Sequence, residues 1–119
     1  MKTVLVVEDV EDLRDLFMEV LRNEGYRVLG AKNGNEALEI LRSEASEPCL
    51  VLLDMMMPIM DGQGFISALR ETHRAASLPI IVVSAVVREN AVQGASCVVK
   101  KPVAPELLIA LVREYCGVA

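Results

Sequence analysis

The sequence is poor in aromatic residues, with two tyrosines, two phenylalanines and no tryptophan among 119 residues. It also lacks any run of basic residues, and its net charge is −5. Direct nucleic-acid binding usually requires a basic patch, so we expect no direct nucleic-acid partner. No apolar run approaches the roughly 20 residues of a membrane-spanning helix, and the basic region of a secretory signal is missing. These absences predict no membrane association and a cytoplasmic location.

Cysteine and histidine are also scarce. The three cysteines, Cys49, Cys97 and Cys116, are an odd number in apolar surroundings without the spacing of metal ligands. We therefore expect reduced thiols, and neither a disulfide nor a zinc site. The single histidine, His73, has no triad-like partners and is interpreted as solvated. Hydrophobic residues make up 53% of the chain, which excludes disorder and predicts one domain spanning residues 1–119.

Continuous aliphatic runs mark the strongest strand signals. Residues 4–7, 50–53 and 80–83 show no polar alternation, which is typical of strands buried on both faces of a parallel sheet. With two shorter segments added, strands are predicted at residues 4–7, 26–31, 50–53, 80–83 and 97–100. Apolar residues at helical spacing predict helices around residues 13–21, 37–41, 65–69, 88–93 and 105–112. Gly25 is expected to end the first helix.

Strand and helix alternate along the chain without an internal repeat, a linker or a low-complexity segment. This alternation predicts a parallel sheet covered by helices on both faces. With right-handed crossovers, five strands are best accommodated by a doubly wound α/β sheet of order 2-1-3-4-5, a flavodoxin-like fold. The switch point then lies between the first and third strands, where ligands collect outside the carboxyl ends of the strands.

Polar side chains follow four of these strands. Glu8 and Asp9 follow the first strand, Asp54 the third, Ser84 the fourth and Lys101 the fifth. Each alone has an ordinary structural explanation as a helix cap, a strand end or a solvated lysine. Because the carboxyl ends of parallel strands meet at one edge of a sheet, we expect these side chains to lie close together.

Such a group of side chains suits phosphoryl transfer. Crowded carboxylates repel one another unless a cation lies among them, and oxygen ligands alone select a hard ion such as Mg²⁺. We predict that Asp9 holds Mg²⁺ directly and that Glu8 holds it through water, beside Asp54. Asp54 is the predicted nucleophile, which would form an aspartyl phosphate. Lys101 would pair with the phosphoryl group, and Ser84 would donate a hydrogen bond to it.

Along its whole length the chain resembles a response-regulator receiver domain of two-component signalling. The matching motifs are Glu8-Asp9, the block of residues 54–62, Ser84-Ala85, Gly94-Ala95 and Lys101-Pro102. The resemblance implies transfer of a phosphoryl group to Asp54 from a histidine of a sensor kinase or phosphotransfer protein. It also implies a Mg²⁺ ligand from the backbone carbonyl of Met56, a cis Lys101-Pro102 bond, and output by docking a downstream protein. We expect a stand-alone receiver or a part of a longer protein.

Two positions and one segment depart from the family pattern. Val98 stands where the family usually has an aromatic residue that moves on phosphorylation, and Val103 replaces a residue that is often phenylalanine. The segment between Ser84 and Gly94 is also shorter than usual, which predicts a fourth helix of about one turn. An alternative hypothesis is therefore a receiver-fold interaction module whose output does not depend on phosphorylation.

Enzymatic alternatives have less support. A phosphohydrolase that uses Asp54 as nucleophile would want a second acid two residues later, where Met56 stands. Ser84 lacks the G-x-S-x-G elbow of a serine esterase. We therefore expect a phosphoacceptor and not an enzyme that turns over an external substrate.

Overall fold

The computed structural model describes residues 2–43, 48–54, 62–71, 78–84 and 95–118. In these ranges the chain forms five strands and four helices: β1 (Thr3–Val7), α1 (Glu11–Asn23), β2 (Arg27–Ala31), α2 (Gly34–Ser43), β3 (Leu50–Asp54), α3 (Gly62–Arg70), β4 (Ile80–Ser84), β5 (Cys97–Lys100) and α4 (Pro105–Cys116). All strands pair in parallel, in the order β2-β1-β3-β4-β5. The predicted α/β fold and strand order are confirmed. The predicted short helix at residues 88–93 lies outside the described residues.

Alternating side chains of the central strands pack on opposite faces of the sheet. Leu5, Val7 and Leu53 join α2 and α3 in one apolar cluster, whereas Val6 and Leu52 join α1 and α4 in another. Both faces are therefore covered, which explains why the strands are continuous aliphatic runs and do not alternate with polar residues.

Local signals set the ends of the helices. Gly25 follows the C-cap of α1 with a φ of 97°, a left-handed conformation that glycine adopts most readily, so the predicted stop is confirmed. At the start of α2, the Glu36 amide donates to Oδ1 of Asn33 at 2.8 Å, and Glu36 Oε1 accepts from the Lys32 amide at 3.2 Å. This reciprocal arrangement resembles a capping box. Pro105 occupies the first turn of α4, as expected.

The expectation of three reduced thiols is wrong for two of them. Cys49 and Cys116 form a disulfide with a Cα–Cα distance of 5.5 Å, whereas Cys97 is free. Cys49 immediately precedes β3, and Cys116 ends α4, which packs against the same face of the sheet. The two cysteines are 67 positions apart. Sequence spacing could not reveal their proximity because it depends on how α4 packs.

None of the helices among the described residues is both long and apolar enough to cross a membrane.

Candidate functional site

Two adjacent parallel strands bring the predicted carboxylates together. Val7 of β1 pairs with Leu53 of β3, so the next residues, Glu8 and Asp54, meet at the carboxyl edge of the sheet. Both are buried, with exposed fractions of 1% and 6%. Carboxylate oxygens of Glu8, Asp9 and Asp54 lie within 4.8 Å of one another. The structure therefore forms a compact acidic cluster at the switch point.

Lys101 reaches this cluster from the end of β5. Its Nζ lies 2.9 Å from Oε1 of Glu8 and 3.4 Å from Oδ1 of Asp54. Its backbone amide donates to the carbonyl of Ser84 at 2.8 Å, and its peptide bond to Pro102 is cis, as the resemblance implied. Lys100 is exposed. Between the two neighbouring lysines, therefore, Lys101 is the one that contacts the acidic cluster.

The electrostatics of the site reflect this crowding. Burial, followed by a hydrogen bond with Asp54, raises the pKa of Glu8 to about 7, although Lys101 opposes the shift. Burial would also raise the pKa of Asp9, but hydrogen bonds with Asp54 and Glu8 outweigh it and lower that pKa. Burial would lower the pKa of Lys101, but Glu8 and Asp54 together raise it. Lys101 thus stays charged and partly balances the carboxylates.

The donor set fits a hard divalent cation. Glu8, Asp9 and Asp54 offer only oxygen atoms, which Mg²⁺ prefers, and they repel one another without a cation. A single ammonium group cannot neutralise three ionised carboxylates. The chemistry of these residues is therefore compatible with Mg²⁺.

The other predicted site residues have different outcomes. Ser84 is buried at the end of β4, on the strand that pairs with β3, so it lies at the same edge of the sheet as Asp54. Met56 lies outside the described residues. Val98 is half-buried and packs against the apolar cluster that includes α2 and α3, and Val103 packs against the cluster on the opposite face.

Sequence reasoning missed one residue near the cluster. Arg14 lies in the second turn of α1, and its Nη1 donates to the backbone carbonyl of Glu8 at 2.9 Å. The only available signal was a basic residue shortly after an acidic pair, and helix surfaces carry such residues commonly. The direct ion pair between Lys101 and Glu8 was also not predicted, since Lys101 was assigned to the phosphoryl group alone.

Two known proteins are similar to this chain in amino-acid sequence. A 14.6 kDa protein of Leptolyngbya boryana is 41% identical over 118 residues, which are 95% of this chain and 88% of that protein. The probable transcriptional regulator ycf27 of Porphyra purpurea is 39% identical over 93% of this chain, which spans only 46% of that regulator.

Solved structures of other proteins have the same fold as this chain. The chemotaxis protein CheY4 of Vibrio cholerae superposes with a TM-score of 0.90 at 28% identity, covering 97% of this chain and 98% of that one. The response regulator TrrA of Thermotoga maritima, solved in complex with Mg²⁺-BeF, gives a TM-score of 0.84 at 31% identity, covering 97% and 99%.

The family assignment follows from a match that covers most of the chain. The family model described as the response regulator receiver domain matches residues 4–113. That range contains all five strands except the first residue of β1, and all the residues of the acidic cluster together with Lys101. The chain belongs to the response regulator receiver domain family.

Proposed function

We propose that this chain is a phosphoacceptor switch that receives a phosphoryl group on Asp54 from a histidine of a sensor kinase or phosphotransfer protein. Glu8, Asp9 and Asp54 would hold the Mg²⁺ ion that the reaction uses, with the backbone carbonyl of Met56 as a further ligand. The observation that carries the proposal is the convergence of three carboxylates and one lysine at the switch point. TrrA, a structural neighbour, binds Mg²⁺-BeF, which supports the same chemistry here.

The residues suggest a direct displacement at phosphorus. A carboxylate oxygen of Asp54 forms the new O–P bond while the P–N bond to the donor histidine breaks, and the imidazole leaves with the bonding electron pair. When bound, Mg²⁺ supplies positive charge to the phosphoryl oxygens. Lys101 would release Asp54 and pair with a phosphoryl oxygen, to which the Ser84 hydroxyl would donate a hydrogen bond. No external substrate is turned over, so the chain is not proposed to be an enzyme.

Incubation with acetyl phosphate and Mg²⁺, followed by intact mass spectrometry, tests the proposal. We expect one base-labile phosphoryl adduct on the wild type and none on Asp54→Asn. Asp12→Asn is the matched control, because Asp12 is an exposed aspartate in the first turn of α1. An adduct that persists in Asp54→Asn, or no adduct on the wild type, would contradict the proposal.

Output through docking of a downstream protein is part of the same proposal. Val98 favours an alternative in which docking does not require phosphorylation, because its side chain packs against an apolar cluster and has no ring that could move. A partner that binds wild type and Asp54→Asn equally, with and without acetyl phosphate, would favour this alternative. We further propose that the chain acts in the cytoplasm, where the Cys49–Cys116 disulfide of the structure would be reduced.

A further inference from the structure

The turn between β1 and α1 carries carboxylates that repel one another, so its backbone needs stabilising contacts. It contains two of the three clustered carboxylates, and Val10, the N-cap residue of α1, makes no side-chain capping bond. The Glu8 amide donates to the carbonyl of Ala31 at 3.0 Å, which attaches the start of the turn to β2. Within the turn, the Val10 amide donates to Oε2 of Glu8 at 3.3 Å, which uses an oxygen of one of the clustered carboxylates.

Arg14 donates two hydrogen bonds to this turn. Its backbone amide donates to the carbonyl of Val10 at 2.9 Å, and its guanidinium donates to the carbonyl of Glu8 at 2.9 Å. The bond to Val10 is the first bond of the helix, and any residue except proline at position 14 can make it. The bond to Glu8 depends on the guanidinium, and it restrains the peptide that precedes Asp9, a predicted metal ligand. The guanidinium also brings a positive charge next to the acidic cluster without occupying any carboxylate oxygen among the contacts described.

Gly30 of β2 lies beneath the side chains of two residues of α1. A Cβ atom added to Gly30 would lie 2.7 Å from Sδ of Met18 and 3.4 Å from Cδ of Arg14. Both side chains therefore lie close over the backbone of β2 at this position. A larger residue at Gly30 would displace the flexible end of Met18, whereas its contact with Arg14 would be an ordinary van der Waals contact.

We propose that Arg14 is a positioning residue that orients Glu8 and Asp9 for Mg²⁺. The metal part of this inference rests on the proposed function. Arg14 acts through the Glu8 carbonyl and contacts neither the metal nor the phosphoryl group. Substitution of residues that orient metal ligands typically weakens metal affinity about 10- to 100-fold.

The test compares Arg14→Met with Arg22→Met. Arg22 is the matched control because it lies on the same helix and its guanidinium also donates to a backbone carbonyl. Its acceptor is Val28 of β2 at 3.4 Å, away from the acidic turn. Mg²⁺ titration by calorimetry should show affinity roughly tenfold weaker in Arg14→Met and unchanged in Arg22→Met. Arg14→Lys should recover part of the affinity, since an ammonium group can donate a single hydrogen bond to the carbonyl.

A second measurement uses metal-free protein. Amide hydrogen exchange at Glu8 and Arg14 should become faster in Arg14→Met than in wild type or Arg22→Met, because these amides bond across and within the turn. Arg14→Lys, which retains a positively charged donor, should show a smaller increase than Arg14→Met and keeps the test available if Arg14→Met does not fold.

The outcomes separate this inference from the proposed function. Wild type that binds no Mg²⁺ would contradict the proposed function, while the exchange rates would still test the role of Arg14 in holding the turn. Equal Mg²⁺ affinities in wild type and Arg14→Met, or equal weakening in Arg14→Met and Arg22→Met, would overturn the inference. Unchanged exchange in Arg14→Met would also overturn it.

Discussion

Lys100 and Lys101 are neighbours in the sequence but have different surroundings. Lys101 lies 2.9 Å from Glu8 and 3.4 Å from Asp54, whereas Lys100 is exposed at the end of β5. Lys101→Ala removes a charge preorganised beside the phosphoryl acceptor, and we expect phosphorylation by acetyl phosphate to slow roughly a hundredfold. Lys100→Ala should leave the rate within about twofold of wild type. Phosphoryl incorporation measured over time distinguishes them, and the opposite ranking would show that the proposed role of Lys101 is wrong.

Glu8 links the stability of the metal-free protein to pH. Burial raises its pKa from 4.5 to about 7, so the folded state holds this proton more tightly than the unfolded chain does. The folded state therefore binds more protons between these two values, and its stability falls as the pH rises through that window. Glu8→Gln cannot titrate. We expect wild type to lose about 1–3 kcal/mol of unfolding free energy, relative to Glu8→Gln, between about pH 5 and about pH 7.5.

Urea denaturation in the presence of a chelator measures this difference. Parallel pH dependences in the two proteins would show that Glu8 does not titrate in this range. Added Mg²⁺ should stabilise the wild type at the higher pH, because it binds the folded state and neutralises the cluster.

At the scale of single elements, two glycines have opposite roles. Gly25 ends α1 in a left-handed conformation with a φ of 97°, whereas Gly64 is exposed inside α3. Gly25→Ala should lower the free energy of unfolding by about 1–2 kcal/mol, since a Cβ atom strains that conformation. Gly64→Ala should raise it by about 0.5–1 kcal/mol, since alanine favours a helix interior. Urea denaturation of both variants checks the signs, and equal signs would contradict this account.

At the scale of the whole molecule, the Cys49–Cys116 disulfide closes a loop that contains Asp54, Ser84 and Lys101. A crosslink between residues 67 positions apart stabilises the folded state by up to about 4 kcal/mol, chiefly by restricting the unfolded chain. Cys49→Ser should therefore lose roughly 2–4 kcal/mol of unfolding free energy. Reductant should destabilise wild type to a similar extent but leave Cys49→Ser unchanged.

Cys97→Ser is the control for the disulfide, because Cys97 is free. Its response to reductant should match that of the wild type. Wild-type protein whose denaturation curve does not change with reductant would show that the crosslink contributes no stability.

Much of the fold, and several residues of the candidate site, could be predicted from the amino-acid sequence alone. Aliphatic runs such as residues 50–53 are typical of strands buried on both faces, and glycine at position 25 ends a helix, because these preferences arise from local sterics and burial. The predicted order of the strands was compatible with right-handed crossovers and was implied in part by the family resemblance. Asp54 and Lys101 could be selected as candidate site residues, because the carboxyl ends of the strands in a parallel sheet lie at one edge. These features need no knowledge of how the helices pack.

Contacts between individual atoms could be established only from the folded structure. The bond from Arg14 to the Glu8 carbonyl depends on how α1 packs over Gly30, and the disulfide depends on where α4 ends relative to β3. The raised pKa of Glu8 follows from burial beside Asp54. These contacts depend on the distances between packed elements and on the directions of the side chains. The periodicity of the sequence specifies neither. A pattern places a residue on a face of an element, and its partners are then set by the packing of the neighbouring elements.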